Sequence, residues 1–543
     1  MKILILFCFL FGFVLVHKSL GQLIEIELNN SPKFEINSNL FGHFLEKASW
    51  GNEIGGDLLI DSKSKSISKE SYKILEDLHI PLIRFPGGTD VDYYEWFTLI
   101  DHVPGKWEIR PTYSGRIAPE YVTDNRMGLD EFLNLCKRLR SEPLLVVNLG
   151  DAFFKKESIE KSAQEAAGMV AYCNASTEQE TGLEINWALV REKNGQKNPY
   201  KVKYFEIGNE PWLYNQDITM SNSKQEAIAH YLKCAEAIID AMRKIDPDIQ
   251  IIIDGGVGGM NSSLKTVSGD KIQYVAYHPY MPWEIKYVIK NDTIDPTILS
   301  QEDIWKAWVA IPAMDSLTGT SSIENDSYYK YVRSAAYPIA VTEWNWNGWW
   351  GGGLSKKVAL NSKFAQGIGA AGYLHSFIRQ GNHIQIGCQS MLVGKSWGIT
   401  SIRFSGESFD KPTLYPTGAI TGFYSKYHGK KYYEVKAAGI PFYKQEYQMG
   451  SIKKIDRVAY LDAVCTGSDS LLFLHLINRS WDQSMPVHCK LNGFGSIKQI
   501  VAHKFEDEKD YAKISHEKLS VEGTELIYHL PQKSVTILEI KLK

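Results

Sequence analysis

The chain has 543 residues, roughly three to four times a typical domain length, so more than one compact unit is expected. Its 60 basic and 63 acidic side chains leave a net charge of −3, which excludes the strongly basic footprint of a nucleic-acid binder. At 44% hydrophobic it can build a large core, and its 14 Trp, 29 Tyr and 22 Phe can serve as core or as flat platforms for sugar rings.

Lys2 precedes an unbroken apolar run, Ile3 to Val16, followed by small residues at Ser19 and Gly21. This pattern predicts a secretory signal peptide over 1–21, cleaved near Gly21-Gln22, and hence a location outside the cytosol: secreted, periplasmic or lysosomal according to the host. The run is too short for an ordinary spanning helix and no later stretch is long enough, so no membrane span is expected. Next, Leu23 to Leu28 alternates polar and apolar residues, which assigns 22–39 to a strand of the C-terminal unit rather than to the central one.

Over 40–428, short apolar runs alternate with helical stretches. Strands are predicted over Leu40–Phe44, Leu82–Phe85, Leu144–Leu149, Lys203–Ile207, Gln250–Ile253, Gln273–Tyr277, Ile339–Thr342 and Ile384–Cys388. A long helix over Ser223–Lys244 opens on a capping box, Ser223 with Glu226, and stops at Asp246-Pro247. Eight strands alternating with helices predict an α/β fold, a (β/α)8 TIM barrel; an open doubly wound sheet is the alternative. Over 429–543 helical periodicity fades, and strands such as Leu471–Leu476 and Ser534–Ile540 predict a β-sandwich domain.

Barrel enzymes carry their chemistry at the C-terminal ends of the strands. The fourth predicted strand runs out through Gly208-Asn209-Glu210-Pro211-Trp212, and the seventh through Thr342-Glu343-Trp344-Asn345. Exits three steps apart around an eight-stranded ring can face each other across the mouth. Two opposed carboxylates are what glycosidic cleavage requires, one to protonate the leaving oxygen and one to attack or to activate water. A lone glutamate at such an exit is as well explained as a helix cap; the pair is what points to chemistry.

Gly208-Asn209-Glu210 and Thr342-Glu343-Trp344-Asn345 resemble the acid/base and nucleophile motifs of clan A retaining glycoside hydrolases. More narrowly, the chain is similar to the family 51 α-L-arabinofuranosidases. In that family's order it carries Phe41-Gly42-His43-Phe44-Leu45-Glu46, Arg84-Phe85-Pro86-Gly87-Gly88, Val147-Asn148-Leu149-Gly150, Ala171-Tyr172-Cys173-Asn174 and Asn198-Pro199-Tyr200-Lys201-Val202-Lys203. The resemblance implies cleavage with retention and no cofactor, with Glu210 as acid/base and Glu343 as nucleophile; no metal is expected, since the 14 histidines form no His-x-x-x-His or Cys/His cluster. It also implies substrate contacts from Asn209, Glu46, His278 and Tyr280, the last orienting the nucleophile. His278 can equally be a structural strand-end histidine, and Tyr280 a packed wall.

The chain also departs from the family. Thr89 follows Arg-Phe-Pro-Gly-Gly where the family usually places a sugar-contacting Asn, so one short hydroxyl replaces an amide donor and acceptor. Pro211-Trp212 after the acid/base motif is unlike many arabinofuranosidases. The segment with Trp344, Trp346, Trp349, Trp350 and Gly351-Gly352-Gly353 is read as a stacking subsite for a neighbouring sugar, or else as a hydrophobic cover. Gln385 and Gln389 on the eighth strand are further candidate sugar contacts.

The expected partner is a polysaccharide or oligosaccharide substrate, with terminal α-L-arabinofuranose the favoured residue. A clan A exo- or endo-glycosidase on a galactose-, xylose- or glucose-based glycan is the alternative, and a non-catalytic carbohydrate-binding protein is the alternative of another class. Six cysteines remain after the signal segment, too few for a disulfide framework; Cys465 and Cys489 are expected to pair within the sandwich. Glycosylation sequons begin at Asn29, Asn174, Asn261, Asn291, Asn325 and Asn478.

Overall fold

Eight short parallel strands close on themselves and set one polar layer of side chains above an apolar plug. The computed structural model describes residues 23–47, 53–114, 122–210, 224–254, 269–280, 284–310, 337–346, 349–351, 363–395, 397–405, 411–450, 452–521 and 523–543, with 264, 334 and 335. The expected signal segment lies outside them. After a first strand, β1 (Ile24–Glu35), the barrel consists of β2 (Gly42–Phe44), β3 (Leu82–Phe85), β4 (Glu142–Val147), β5 (Tyr204–Ile207), β6 (Gln250–Asp254), β7 (Tyr274–Ala276), β8 (Ile339–Trp344) and β9 (Ile384–Gln389). These coincide with the eight predicted segments. Closure comes from β9 pairing with β2, Cys388 beside Gly42 and Gln389 beside His43, which excludes the open sheet.

Strand alternation explains the layering. Phe44, Leu82, Leu144, Val146, Tyr204, Ile252, Ala276, Ala340, Ile386 and Cys388 fill the barrel. Their neighbours Ile83, Phe85, Leu145, Val147, Phe205 and Ile207 point outward to the helices. Those helices include α1 (Lys69–Asp77), α2 (Leu129–Leu139), α3 (Ile159–Asn174), α4 (Lys224–Ile245), α5 (Lys363–Arg379) and α6 (Pro416–Lys426). Ser68 and Ser158 cap α1 and α3 by accepting from the backbone N–H groups of Ser71 and Lys161. On α4 the apolar stripe Ile228, Tyr231, Ala235, Ile238 and Met242 is buried, whereas its expected cap Ser223 lies outside the described residues. Among the described residues no helix is long and apolar enough to cross a membrane.

The C-terminal strands are β10 (Lys431–Ala438), β11 (Leu461–Gly467), β12 (Leu471–Asn478), β13 (Met485–Asn492), β14 (Ile497–Glu508), β15 (Tyr511–Leu519), β16 (Glu525–Leu530) and β17 (Ser534–Leu542). With β1 they form one nine-stranded sheet, ordered β15-β14-β17-β12-β11-β10-β1-β13-β16. Side chains from both halves, such as Leu474, Ala502 and Leu538 with Val487, Leu526 and Leu530, share one core, so the sheet folds over itself as a sandwich. Its other face, with Phe473, Phe505 and Val535, packs on α5 and α6. That explains why α5 is apolar all round: barrel and sheet enclose it.

Two expectations about covalent chemistry change here. Among the described residues all six cysteines are free and buried; β10 and β1 separate the strands of Cys465 and Cys489, so that disulfide does not form. Asn478 is buried with Nδ2 donating to the carbonyls of Gln483 and Pro531, and Asn174 Nδ2 donates to Val202 O and Asp246, so neither amide is open to a glycan. Asn29 and Asn291 are exposed, while Asn261 and Asn325 lie outside the described residues.

Candidate active site

Above the apolar plug, Arg84 on β3, Glu206 on β5 and Thr342 on β8 face one another, all buried. Arg84 uses its whole guanidinium: Nε donates to Glu206, Nη1 to Glu343 Oε1 at 2.8 Å and Nη2 to Asn209 Oδ1 at 2.8 Å. Its planar fork suits three acceptors at once, as a lysine ammonium would not. Burying these charges is costly, and the cost is met because each has an opposite charge or a hydrogen bond.

Glu343 reaches the site through an irregularity. The pairing of β8 with β9 shifts register between Val341 and Trp344. A shift of this kind breaks the alternation of faces, so Thr342 and Glu343 both face the barrel axis while Trp344 turns outward. The Tyr280 hydroxyl lies 2.7 Å from Glu343 Oε2 and 2.7 Å from Ser390 Oγ. Its single proton goes to the carboxylate, which can only accept, and Ser390 supplies the other hydrogen bond.

Glu210 arrives from the opposite side of the mouth. Gly208 takes φ +74°, and Glu210 itself takes φ +48°, a conformation that costs a non-glycine residue about 1–3 kcal/mol. Asp92 pins this turn, its carboxylate accepting from the backbone N–H groups of Leu149 (2.8 Å), Gly150 (3.1 Å) and Asn209 (3.0 Å). His278, just past β7, places Nδ1 2.8 Å from Glu210 Oε1 and Nε2 2.8 Å from Thr342 Oγ1, and Thr342 donates to Glu206 Oε1 at 2.7 Å. A continuous chain of hydrogen bonds therefore joins the two glutamates: Glu210, His278, Thr342, Glu206, Arg84, Glu343. One donor or acceptor atom each from Glu210, His278 and Glu343 lies within 4.8 Å of the others.

The electrostatics of the site act most clearly on Glu210 and His278. Burial pushes Glu210 above the ordinary carboxylate range and the charge of Glu343 adds to this, while the His278 hydrogen bond returns only part. Burial pulls His278 down, but Glu343, Glu206 and Glu210 together outweigh it and lift the imidazole to about 10. His278 is thus a cation over the neutral range. For Glu206 the balance runs the other way: burial raises its carboxyl, and Arg84 with His278 brings it below the ordinary value.

Of the sequence-predicted residues, the structure brings together Glu210, Glu343, Asn209, His278 and Tyr280. Asn209 Nδ2 is buried with no hydrogen-bond partner among the described residues. Glu46 lies at the rim, its carboxylate filling the space where a Cβ on Gly88 (φ +72°) would stand, beside Thr89. Pro211 and Trp212 lie outside the described residues.

Five expected sugar contacts lie elsewhere. Trp344 is buried behind the barrel wall against Tyr373 and Phe377, because the register shift gives Glu343 the inward position. Gln389 points outward: its amide donates to Thr417 and accepts from Thr421, tying β9 to α6. Gln385 stands at the N-terminal end of β9, away from the mouth, and bonds Gly381 O. Trp346 and Trp350 pack on Trp308 in the core, so the described part of that segment is a hydrophobic cover; the Trp349 side chain is not described.

Sequence reasoning missed Arg84, Glu206, Thr342 and Asp92 as site-builders. The signal was available for two of them, since Arg84 and Glu206 are charges at inward positions of otherwise apolar strands. It also passed over Tyr94, whose buried hydroxyl has no partner among the described residues, and Trp397; both pack on the cluster that fills the barrel.

With this geometry in view, the relatives can be compared. Residues 74–292 match the model of the alpha-L-arabinofuranosidase 1 domain. The chain is 28% identical over 391 residues to a probable α-L-arabinofuranosidase C from Aspergillus niger, covering 70% of each chain. It is 26% identical over 471 residues to one from Aspergillus fumigatus, covering 84% of this chain and 85% of that protein. In fold it matches the crystal structure of an α-L-arabinofuranosidase from Thermotoga maritima, an arabinose complex, with TM-score 0.68 at 20% identity over 96% of this chain and all of that one. A family 51 arabinofuranosidase from Xanthomonas axonopodis pv. citri gives 0.69 at 17% identity, again over 96% of this chain. The barrel, the sandwich and these relatives together support a glycosidase that is similar to the clan A, family 51 glycoside hydrolases.

Proposed function

We propose that the protein is a secreted retaining glycosidase that releases α-L-arabinofuranosyl residues from polysaccharides or oligosaccharides, with Glu343 as nucleophile and Glu210 as acid/base. The observation that carries this reading is the close approach of the two glutamates, within 4.8 Å. That spacing fits the ~5–5.5 Å of a covalent nucleophile and its proton donor, not the ~6.5–9.5 Å that leaves room for a water. In the first step Glu343 attacks the anomeric carbon while the Glu210 proton passes to the departing oxygen. In the second, Glu210 takes a proton from water, which displaces Glu343. Arg84 and Tyr280 hold the attacking carboxylate, and the unpartnered Asn209 Nδ2 is placed to donate to the hydroxyl next to the anomeric carbon, a contact that can strengthen in the transition state. The Lys2 to Val16 segment supports export. An aryl α-L-arabinofuranoside is expected to be hydrolysed with the α-anomer of arabinose as first product by NMR. Inertness, or an inverted first product, would overturn the proposal.

The pH dependence follows from the raised Glu210 carboxyl. The acid must be protonated, so kcat/KM falls as pH rises through its displaced value. His278→Asn removes a cation and a hydrogen bond that both hold Glu210 down, so the alkaline limb should move to higher pH. A limb that stays in place would separate His278 from the tuning of Glu210.

Thr89 accounts for a difference from the family within the same site. Thr89→Asn restores an amide donor and acceptor beside Glu46, worth about 1 kcal/mol per hydrogen bond, or roughly fivefold. The expected result is a rise of that order in kcat/KM for arabinofuranosides relative to other glycosides; an unchanged ratio places Thr89 outside the subsite.

A further inference from the structure

The aromatic segment after β8 packs into the core, yet the barrel mouth does present an indole, from the loop that follows β9. Trp397 is partly buried and packs on the cluster formed by Phe44, Cys388, Met391 and Ile399, which Tyr280 and Tyr94 also join. Tyr280 is the residue that bonds Glu343, and its ring and this indole pack on the same cluster. Its Nε1–H makes no hydrogen bond among the described residues and is not among their buried unpaired groups, so it keeps some access to solvent.

The loop beneath is held firmly. Glu53, buried and arriving from the loop after β2, accepts from the backbone N–H groups of Lys395 at 2.6 Å and Trp397 at 3.4 Å. The Ser401 and Ile402 N–H groups bond back to the carbonyls of Met391 and Leu392, and Thr400 N closes a turn on Trp397 O at 3.2 Å. An indole on such a support loses little freedom when something stacks on it. Its ring face is electron-rich and attracts the slightly positive C–H groups of a sugar face, while its N–H can donate to a hydroxyl.

We infer that Trp397 is the platform for the leaving-group sugar, the residue joined to the departing oxygen, with Glu53 as its positioning residue. The inference rests on the arabinofuranosidase reading above and adds the side of the bond that reading leaves open. The glycone side is assigned above to Asn209, with Glu46 and Thr89; Trp397 makes the enzyme favour a sugar over a small group as aglycone.

The test compares an arabino-oligosaccharide with methyl α-L-arabinofuranoside, whose aglycone has nothing to stack. Trp397→Leu, which keeps apolar packing without a flat ring, should lower kcat/KM for the oligosaccharide about tenfold, mainly through KM. The methyl glycoside should change less than about twofold, and Trp397→Phe should restore most of the loss. If wild-type protein cleaves both substrates and Trp397→Leu lowers them equally, or lowers neither, the inference is overturned. If wild-type protein cleaves neither arabinoside, the arabinofuranosidase reading falls and takes the inference with it.

Discussion

Glu343→Ala should lower turnover by at least about 10⁴-fold, the scale of losing a covalent nucleophile, and azide should partly restore it with a product of inverted configuration. The truncated side chain leaves space beside the anomeric carbon, and a small anion entering there attacks from the face the carboxylate used. Since no second displacement follows, a single inversion remains. Glu210→Ala should behave differently. Loss of the proton donor costs about 10²–10⁴-fold on poor leaving groups, whereas activated aryl glycosides still transfer the sugar to Glu343. Azide then intercepts that intermediate and gives a product of retained configuration. NMR of the two azide products reads out the roles directly. Exchanged stereochemistry would reverse them, and undiminished turnover in both variants would remove the pair from the mechanism.

Arg84→Met is expected to have the largest effect on stability, about 3–5 kcal/mol, because it strands two buried carboxylates without their cation. The sign of its pH dependence makes the test specific. In the wild-type protein Glu206 is held below its ordinary 4.5, so its contribution is present above that value and is lost as pH falls through the folded value. Without Arg84 the dominant lowering influence is gone and burial raises the carboxyl instead. The variant's penalty is then greatest near neutrality and is relieved as pH falls and Glu206 protonates. Guanidinium unfolding at pH 7 and at pH 5 should show the gap between variant and wild type narrowing at the lower pH. A gap independent of pH would mean that the guanidinium acts by packing, for instance on Phe44, whose ring centroid lies 4.6 Å away. Loss of activity should accompany loss of stability, since the same guanidinium holds Glu343.

The architecture was largely legible in the linear chain, and the physical reason is local. Runs such as Leu82-Ile83-Arg84-Phe85 and Tyr204-Phe205-Glu206-Ile207 have a strand's length and apolar character, and the helical patterns between them leave few ways to bury them all. The motif pair around Glu210 and Glu343 was legible for a similar reason, since strand exits in a barrel converge on one mouth. What the sequence could not decide was which neighbours meet. Arg84 and Glu206 stand 122 residues apart, and nothing local to either marks the other as its partner. Alternation likewise states that adjacent side chains point opposite ways without stating which points inward, and one register shift in β8 sends Glu343 to the axis and Trp344 to the core. The same ambiguity placed Gln389 at the sugar when it holds α6, and placed Trp346 and Trp350 at a stacking subsite when they pack on Trp308. Cys465 and Cys489, paired in expectation by belonging to one domain, are kept apart by the two strands inserted between theirs. Periodicity and composition thus determined the strands, the helices and the chemistry available; closure of the barrel, long-range pairing and register decided which of those groups meet, because such contacts depend on the packing of distant segments rather than on local sequence.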